Sequence, residues 1–135
     1  MTLVWVDPAS IAGEDIVWLV KADLAGTPYH SIPLMTQLAM IGDGRMQLYR
    51  LVPGPGVALL EVLSSPSGLK RLNLVRVGAK GMGWMAKPFA AALQHLAREW
   101  GCAEVMTMVS EERLAKAMRL VGAEEEARCM VLKVQ

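Results

Sequence analysis

The chain has 135 residues, 14 of them basic and 13 acidic, with two cysteines. That length fills one hydrophobic core and is short for two, so residues 1–135 read as a single domain. Near-neutral charge without a Lys/Arg cluster leaves no footprint for a phosphate backbone, which excludes nucleic acid as the expected partner.

An apolar fraction of 53% and a mean hydropathy of +0.33 exceed the roughly 45–50% apolar content usual in soluble domains. The excess points to a surface that meets a protein partner or a second copy. The longest uncharged run, Leu24 to Gly42, is broken by Pro28, His30, Ser31, Pro33 and Gln37. It lacks the ~20 mainly apolar residues of a membrane span. No basic, apolar leader opens the sequence, so a cytoplasmic location is expected. Cys102 and Cys129 have neither CxxC spacing nor nearby histidines, so neither metal nor disulfide is expected.

Thr2 to Val6 has strand character, and Asp7-Pro8-Ala9-Ser10 a turn. Ile16, Val17, Leu19, Val20 and Leu24 fall at helical spacing, predicting a helix over Asp15 to Ala25. Ser31 as cap and Pro33 in the first turn predict a second helix carrying Leu34, Leu38 and Ile41, stopped by Gly42-Asp43-Gly44. The period then changes to two. Met46 to Val52, Val57 to Leu63 and Arg71 to Val77 predict an antiparallel meander, turning at Pro53-Gly-Pro-Gly56 and Ser64-Ser-Pro-Ser-Gly68. After the glycine-rich Gly78-Ala-Lys-Gly-Met-Gly83, a helix is expected with Pro88 in its first turn, a stripe of Phe89, Leu93, Leu96, Ala97 and Trp100, and Gly101 at its end. Glu104 to Val109 predicts a strand. Ser110 caps a helix with Leu114, Ala117, Met118 and Val121, closed by Gly122, and Ala127 to Val134 predicts a last strand.

This order of elements, with Gly81-Met-Gly83, Leu96-Ala-Arg-Glu-Trp-Gly-Cys102 and Arg119-Leu-Val-Gly-Ala123, resembles the GNAT superfamily of acyl-CoA N-acyltransferases. The resemblance covers the whole chain in topology and Leu72 to Val134 in sequence. It implies an α/β (α+β) fold: a central mixed, mostly antiparallel sheet of about six strands flanked by about four helices.

In that family, the fourth strand enters a loop of pattern Q/R-x-x-G-x-G/A, whose amides and following helix N-terminus bind the pyrophosphate of acetyl-CoA. Gly81 and Gly83 match the two glycines, and Gly78 stands where Gln or Arg is expected. The resemblance therefore implies acetyl-CoA held by Val77, Gly78, Lys80, Gly81 and Gly83. Arg76 and Lys80 either reach phosphate oxygens or are simply solvated. Ala97 and Gly101 fall about three residues late from Gly81 for the family spacing.

Many members place a tyrosine general acid four residues before the last helix's closing glycine; that position is Met118, which cannot donate a proton. Glu61 is the one acidic residue in the meander strands, read either as the base that deprotonates an amine or as a solvated charge between Leu60 and Val62. His30 and His95 show no partner in sequence.

Gln47-Leu-Tyr with Leu-Ala-Arg-Glu-Trp-Gly is further similar to small, degenerate GNAT-like proteins of tailed bacteriophages. Three functions follow from the resemblance: an acetyltransferase of primary amines with weakened or lost activity, a non-catalytic virion or assembly component that binds protein, or a CoA sensor without turnover.

Overall fold

The computed structural model of the chain describes residues 1–24, 31–80, 82–108, 112–126 and 132–134. Among these residues five strands form one sheet in the order β1-β2-β3-β4-β5: β1 (Thr2–Trp5), β2 (Gln47–Val52), β3 (Gly56–Ser64), β4 (Lys70–Ala79) and β5 (Glu104–Thr107). The first four are antiparallel neighbours, and β5 lies parallel to β4. Among the described residues four α-helices accompany them: α1 (Gly13–Leu24), α2 (Leu34–Gly42), α3 (Met82–Glu99) and α4 (Glu112–Leu120). The mixed, mostly antiparallel sheet agrees with expectation. Most of the expected sixth strand, Ala127 to Val134, lies outside the described residues, as do Ser110 and His30.

Alternation along the meander strands builds two cores, one on each face. Leu48, Val57 and Leu59 join Val6, Leu19, Ile41 and Met46 on the face covered by α1 and α2. Tyr49, Leu51, Ala58, Leu60, Leu72 and Leu74 meet Phe89, Leu93, Leu96 and Ala97 of α3 on the other. A strand buried on both faces reads as a continuous apolar run, which is the pattern of Val57 to Leu60.

Three local expectations need correction. The buried side of α1 is Asp15, Leu19 and Ala22, while Val17, Val20 and Leu24 are exposed. Asp15 can be buried because Arg50 of β2 neutralises it, donating Nε to Oδ1 at 2.8 Å and Nη2 to Oδ2 at 2.6 Å. Ser31 does not cap α2, whose N-cap is Pro33 without a side-chain bond; its hydroxyl donates to Asp23 instead. Pro88 lies inside α3, because the helix begins at Met82 and the burial of Met85 and Phe89 carries it across the proline.

The glycine stops behave as expected. Gly101 (φ 70°) and Gly122 (φ 92°) take the left-handed conformation after α3 and α4. Each closes a Schellman motif: Cys102 N–H bonds to Ala97 and Gly101 N–H to Arg98, and Ala123 N–H to Met118 and Gly122 N–H to Arg119.

Candidate functional site

The chemistry-bearing feature of the sheet is a fork. The β4–β5 ladder runs from Arg71↔Glu104 to Leu74↔Thr107 and stops, while β4 continues to Ala79. Immediately past the last rung, the β3–β4 register shifts. Leu59 pairs with Arg76 and Leu60 with Leu74, so Val75 is an extra residue, a β-bulge at the branch point. From Val75 to Ala79 the β5 side of β4 has no strand partner among the described residues. Backbone donors and acceptors on such an edge can pair with a ligand where no side chain already takes them, as Arg76 takes the Val75 carbonyl.

Beyond Ala79 the chain passes Lys80 and enters α3 at Met82. The first N–H groups of a helix have no intrahelical partner and carry the positive end of its dipole, so this end of the fork favours an anion.

The expected site residues divide into two places. Val77, Gly78 and Lys80 lie together at the end of β4, with Gly83 in the first turn of α3; Gly81 is outside the described residues. Val77 packs toward the α3 core, and Lys80 is exposed, its N–H directed to the Pro55 carbonyl at 3.4 Å. Gly78 is buried under α1: a Cβ there would stand 2.8 Å from the Trp18 carbonyl oxygen and 3.1 Å from Ala22 Cβ. Its lack of a side chain thus has a packing cause that sequence alone does not show.

Glu61 lies elsewhere on the sheet. Gly56 pairs with Ala79 and Glu61 with Asn73, so Glu61 sits five residues along β3, about 17 Å from the level of the glycine turn. It is only two residues from Leu59, which faces the bulge. Half-buried, it accepts a hydrogen bond from Asn73 Nδ2 at 2.8 Å. It also lines an open groove of about 540 Å³ with Met40, Gly44, Arg45, Gln47, Val62 and Trp100. That groove is at the end of the sheet where β2 begins, away from Lys80 and Met82.

One polar cluster flanking the fork was not read from the sequence. Asp23, near the end of α1, accepts from Arg76 Nε at 3.3 Å, from Ile32 N–H at 2.9 Å and from the Ser31 hydroxyl. Burial pushes the Asp23 carboxyl up, but the Ser31, Ile32 and Arg76 donors outweigh it and hold it below its usual value. Arg76 also donates Nη1 to the Val75 carbonyl at 2.8 Å. The ion pair joins residues 53 apart, and only their opposite charges hinted at it. His95 pairs with Glu99 one helical turn on, at 3.1 Å, on the exposed side of α3. Met118 is half-buried on α4. Among the described residues, no group of three His, Cys, Asp or Glu could hold a metal ion, and no helix is long and apolar enough to cross a membrane.

No family model and no curated protein matches the sequence. Solved structures do match. The ribosomal-protein-alanine N-acetyltransferase of Brucella melitensis biovar Abortus 2308 is similar at a TM-score of 0.71 and 17% identity, over 99% of this chain and 100% of that one. A Trypanosoma brucei acetyltransferase is similar at 0.61 and 19% identity, over 98% of each chain. An aminoglycoside N-acetyltransferase in complex with CoA is similar at 0.55 and 19% identity, over 75% of this chain and 85% of that one. The architecture is therefore the GNAT acetyltransferase fold. The phage likeness gains nothing from these matches.

Proposed function

We propose that the chain binds an acyl-CoA, with acetyl-CoA the first candidate, along the open edge of β4, and is related to N-acyltransferases of primary amines with weakened turnover. The observation that carries this reading is the fork, which opens at Val75 and leads directly to the start of the 18-residue helix α3. An acyl-CoA suits it chemically. The pyrophosphate would meet the first-turn amides of α3 at Met82 and Gly83, just beyond Lys80 in the chain, and the amides of the pantetheine arm can pair with the edge of β4 that has no strand partner among the described residues. Bound there, acetyl-CoA supplies an activated acyl group on a thiol leaving group.

Weakened turnover is proposed from Met118, which stands where the resemblance implies a tyrosine and cannot protonate a leaving thiolate. Glu61, fixed by Asn73 near the branch point, is the candidate base, acting on the amine through a water. A second reading, a protein-binding platform, is favoured by exposed apolar residues: Val17, Val20 and Leu24 along α1, and Trp5 and Val52 at the sheet edge. A role in phage virions rests on the sequence likeness alone.

Isothermal titration with acetyl-CoA tests the first reading without knowledge of the acceptor. Micromolar to submillimolar binding, abolished by Gly83→Trp in a variant with unchanged circular dichroism, is expected. Absence of binding at millimolar acetyl-CoA would overturn it in favour of the platform.

A further inference from the structure

β1 stands at the end of the strand order, with β2 on one side and no strand on the other among the described residues. The register fixes which of its backbone groups look outward. The Val6 N–H donates to the Leu48 carbonyl at 2.9 Å, and the same ladder sets Val4 against Arg50 and Thr2 against Val52. Hydrogen-bonded pairs recur at every second residue of an antiparallel ladder, so Thr2 and Val4 direct their N–H and C=O groups to β2. Leu3 and Trp5 point theirs away from the sheet, and those groups make no hydrogen bond among the described residues.

Nothing in the strand discourages another strand from joining it. Exposed edges are commonly blunted by a charge, a proline or a bulge. Thr2-Leu-Val-Trp5 has none of these, pairs with β2 in unbroken register and consists of residues at home in a sheet. Val4 and Trp5 are 43% and 50% exposed. The Trp5 indole does not shield the edge, since its Nε1 donates to Gln47 Oε1 at 3.2 Å, back on the β2 side.

The edge is complementary to itself. When two copies of β1 run antiparallel about a twofold axis at Val4, Leu3 of each copy lies opposite Trp5 of the other, and both are outward-pointing residues. Such a pair exchanges both of its backbone hydrogen bonds. Val4 then meets Val4 of the second copy in a non-hydrogen-bonded pair, where side chains approach most closely and β-branched ones pack well. A contact of this symmetry closes at two copies. A net charge of +1 sets little repulsion against it.

We propose that β1 is a self-association edge, on which a second copy of this chain pairs through Leu3 and Trp5 and joins the two sheets into one. The proposal holds whether or not the chain binds acyl-CoA. A seam four residues long is small, so the dimer is weak and reversible.

Sedimentation velocity of the full chain from micromolar to millimolar concentration, with amide hydrogen exchange at both ends of that range, tests it. The wild type should pass from monomer to dimer. Exchange at Leu3 and Trp5 should slow at least about threefold as it does so, while Val4 and Val6, already bonded to β2, should change less. Val4→Lys sets like charges opposite each other on the axis and should raise the dissociation constant at least about fivefold, with an unchanged Tm in dilute solution. Val4→Thr, still β-branched, should keep the dimer. A chain that stays monomeric at millimolar concentration overturns the proposal, as does a dimer indifferent to Val4→Lys or an assembly that grows beyond two copies. Leu3 and Trp5 amides protected equally in the monomer also overturn it, because the edge is then covered from within the chain. Should Val4→Lys fail to fold, the concentration dependence of those two amides in the wild type still decides.

Discussion

Gly78→Ala adds one methyl group where α1 lies directly on β4. The new Cβ would stand 2.8 Å from the Trp18 carbonyl oxygen and 3.1 Å from Ala22 Cβ. Neither atom belongs to a side chain that can rotate away, so α1 must lift by several tenths of an ångström. The helix is not free to do so, since Asp15 is bonded to Arg50 near one end and Asp23 to Arg76 near the other. Overpacking of this kind costs about 1–3 kcal/mol, offset by about 0.4–1 kcal/mol from the stiffer unfolded chain. A net loss of about 1–2 kcal/mol follows, a fall in Tm of about 3–8 °C for a domain of this size. Gly42→Ala is the matched control, at the end of α2 with no atom within 4 Å of the added Cβ. There the same methyl should stabilise by about 0.5–1 kcal/mol. Urea and thermal melts of both variants decide. A Gly78→Ala variant as stable as the wild type would refute the packing account, and if it also lost acetyl-CoA binding, glycine at 78 would be serving the ligand.

Acid stability reports on the buried Asp15. The Arg50 hydrogen bonds oppose the burial penalty and, with the Ala12 amide, hold its carboxyl below the usual value of 3.8. The folded state therefore binds this proton less readily than the unfolded chain. The stabilisation is present above about pH 4 and is lost as pH falls through the lower folded value. Asp15→Asn should cost about 1–2 kcal/mol at pH 7, kept low by the 42% exposure of Arg50, and should flatten the acid limb. Parallel acid limbs in urea melts from pH 7 to 3 would contradict this. Met118→Tyr should raise thiol release from acetyl-CoA in the presence of primary amines by at least about tenfold, since a well-placed general acid is worth about 10²–10⁴. An unchanged rate would remove the missing acid as the cause of weak turnover.

The regular parts of the fold were legible because their signals are local. Period-two alternation marked β2 and β4, a short apolar run between two turns marked β3, and the glycines at 101 and 122 marked the helix ends, where only residues tolerant of positive φ fit. The phase of α1 was not legible, because its burial is set from across the fold. Arg50 lets Asp15 go inside, and Gly78 admits Ala22, so the apolar Val17, Val20 and Leu24 are left outside. The glycine turn could be placed from the motif, but the fork could not. It depends on where β5 stops pairing and on one extra residue at Val75, and neither leaves a compositional trace. Glu61 was found as the meander's acid, whereas its partner Asn73 and its distance from the turn required the strand register.

An amide NMR titration of the ¹⁵N-labelled protein with acetyl-CoA tests most directly whether acyl-CoA lies along the open edge of β4. Saturable shifts concentrated at Val75 to Lys80 and at Met82 and Gly83 are the expected result. Shifts confined to Gly44, Arg45 and Trp100 around the groove where β2 begins, or none at all, would contradict it.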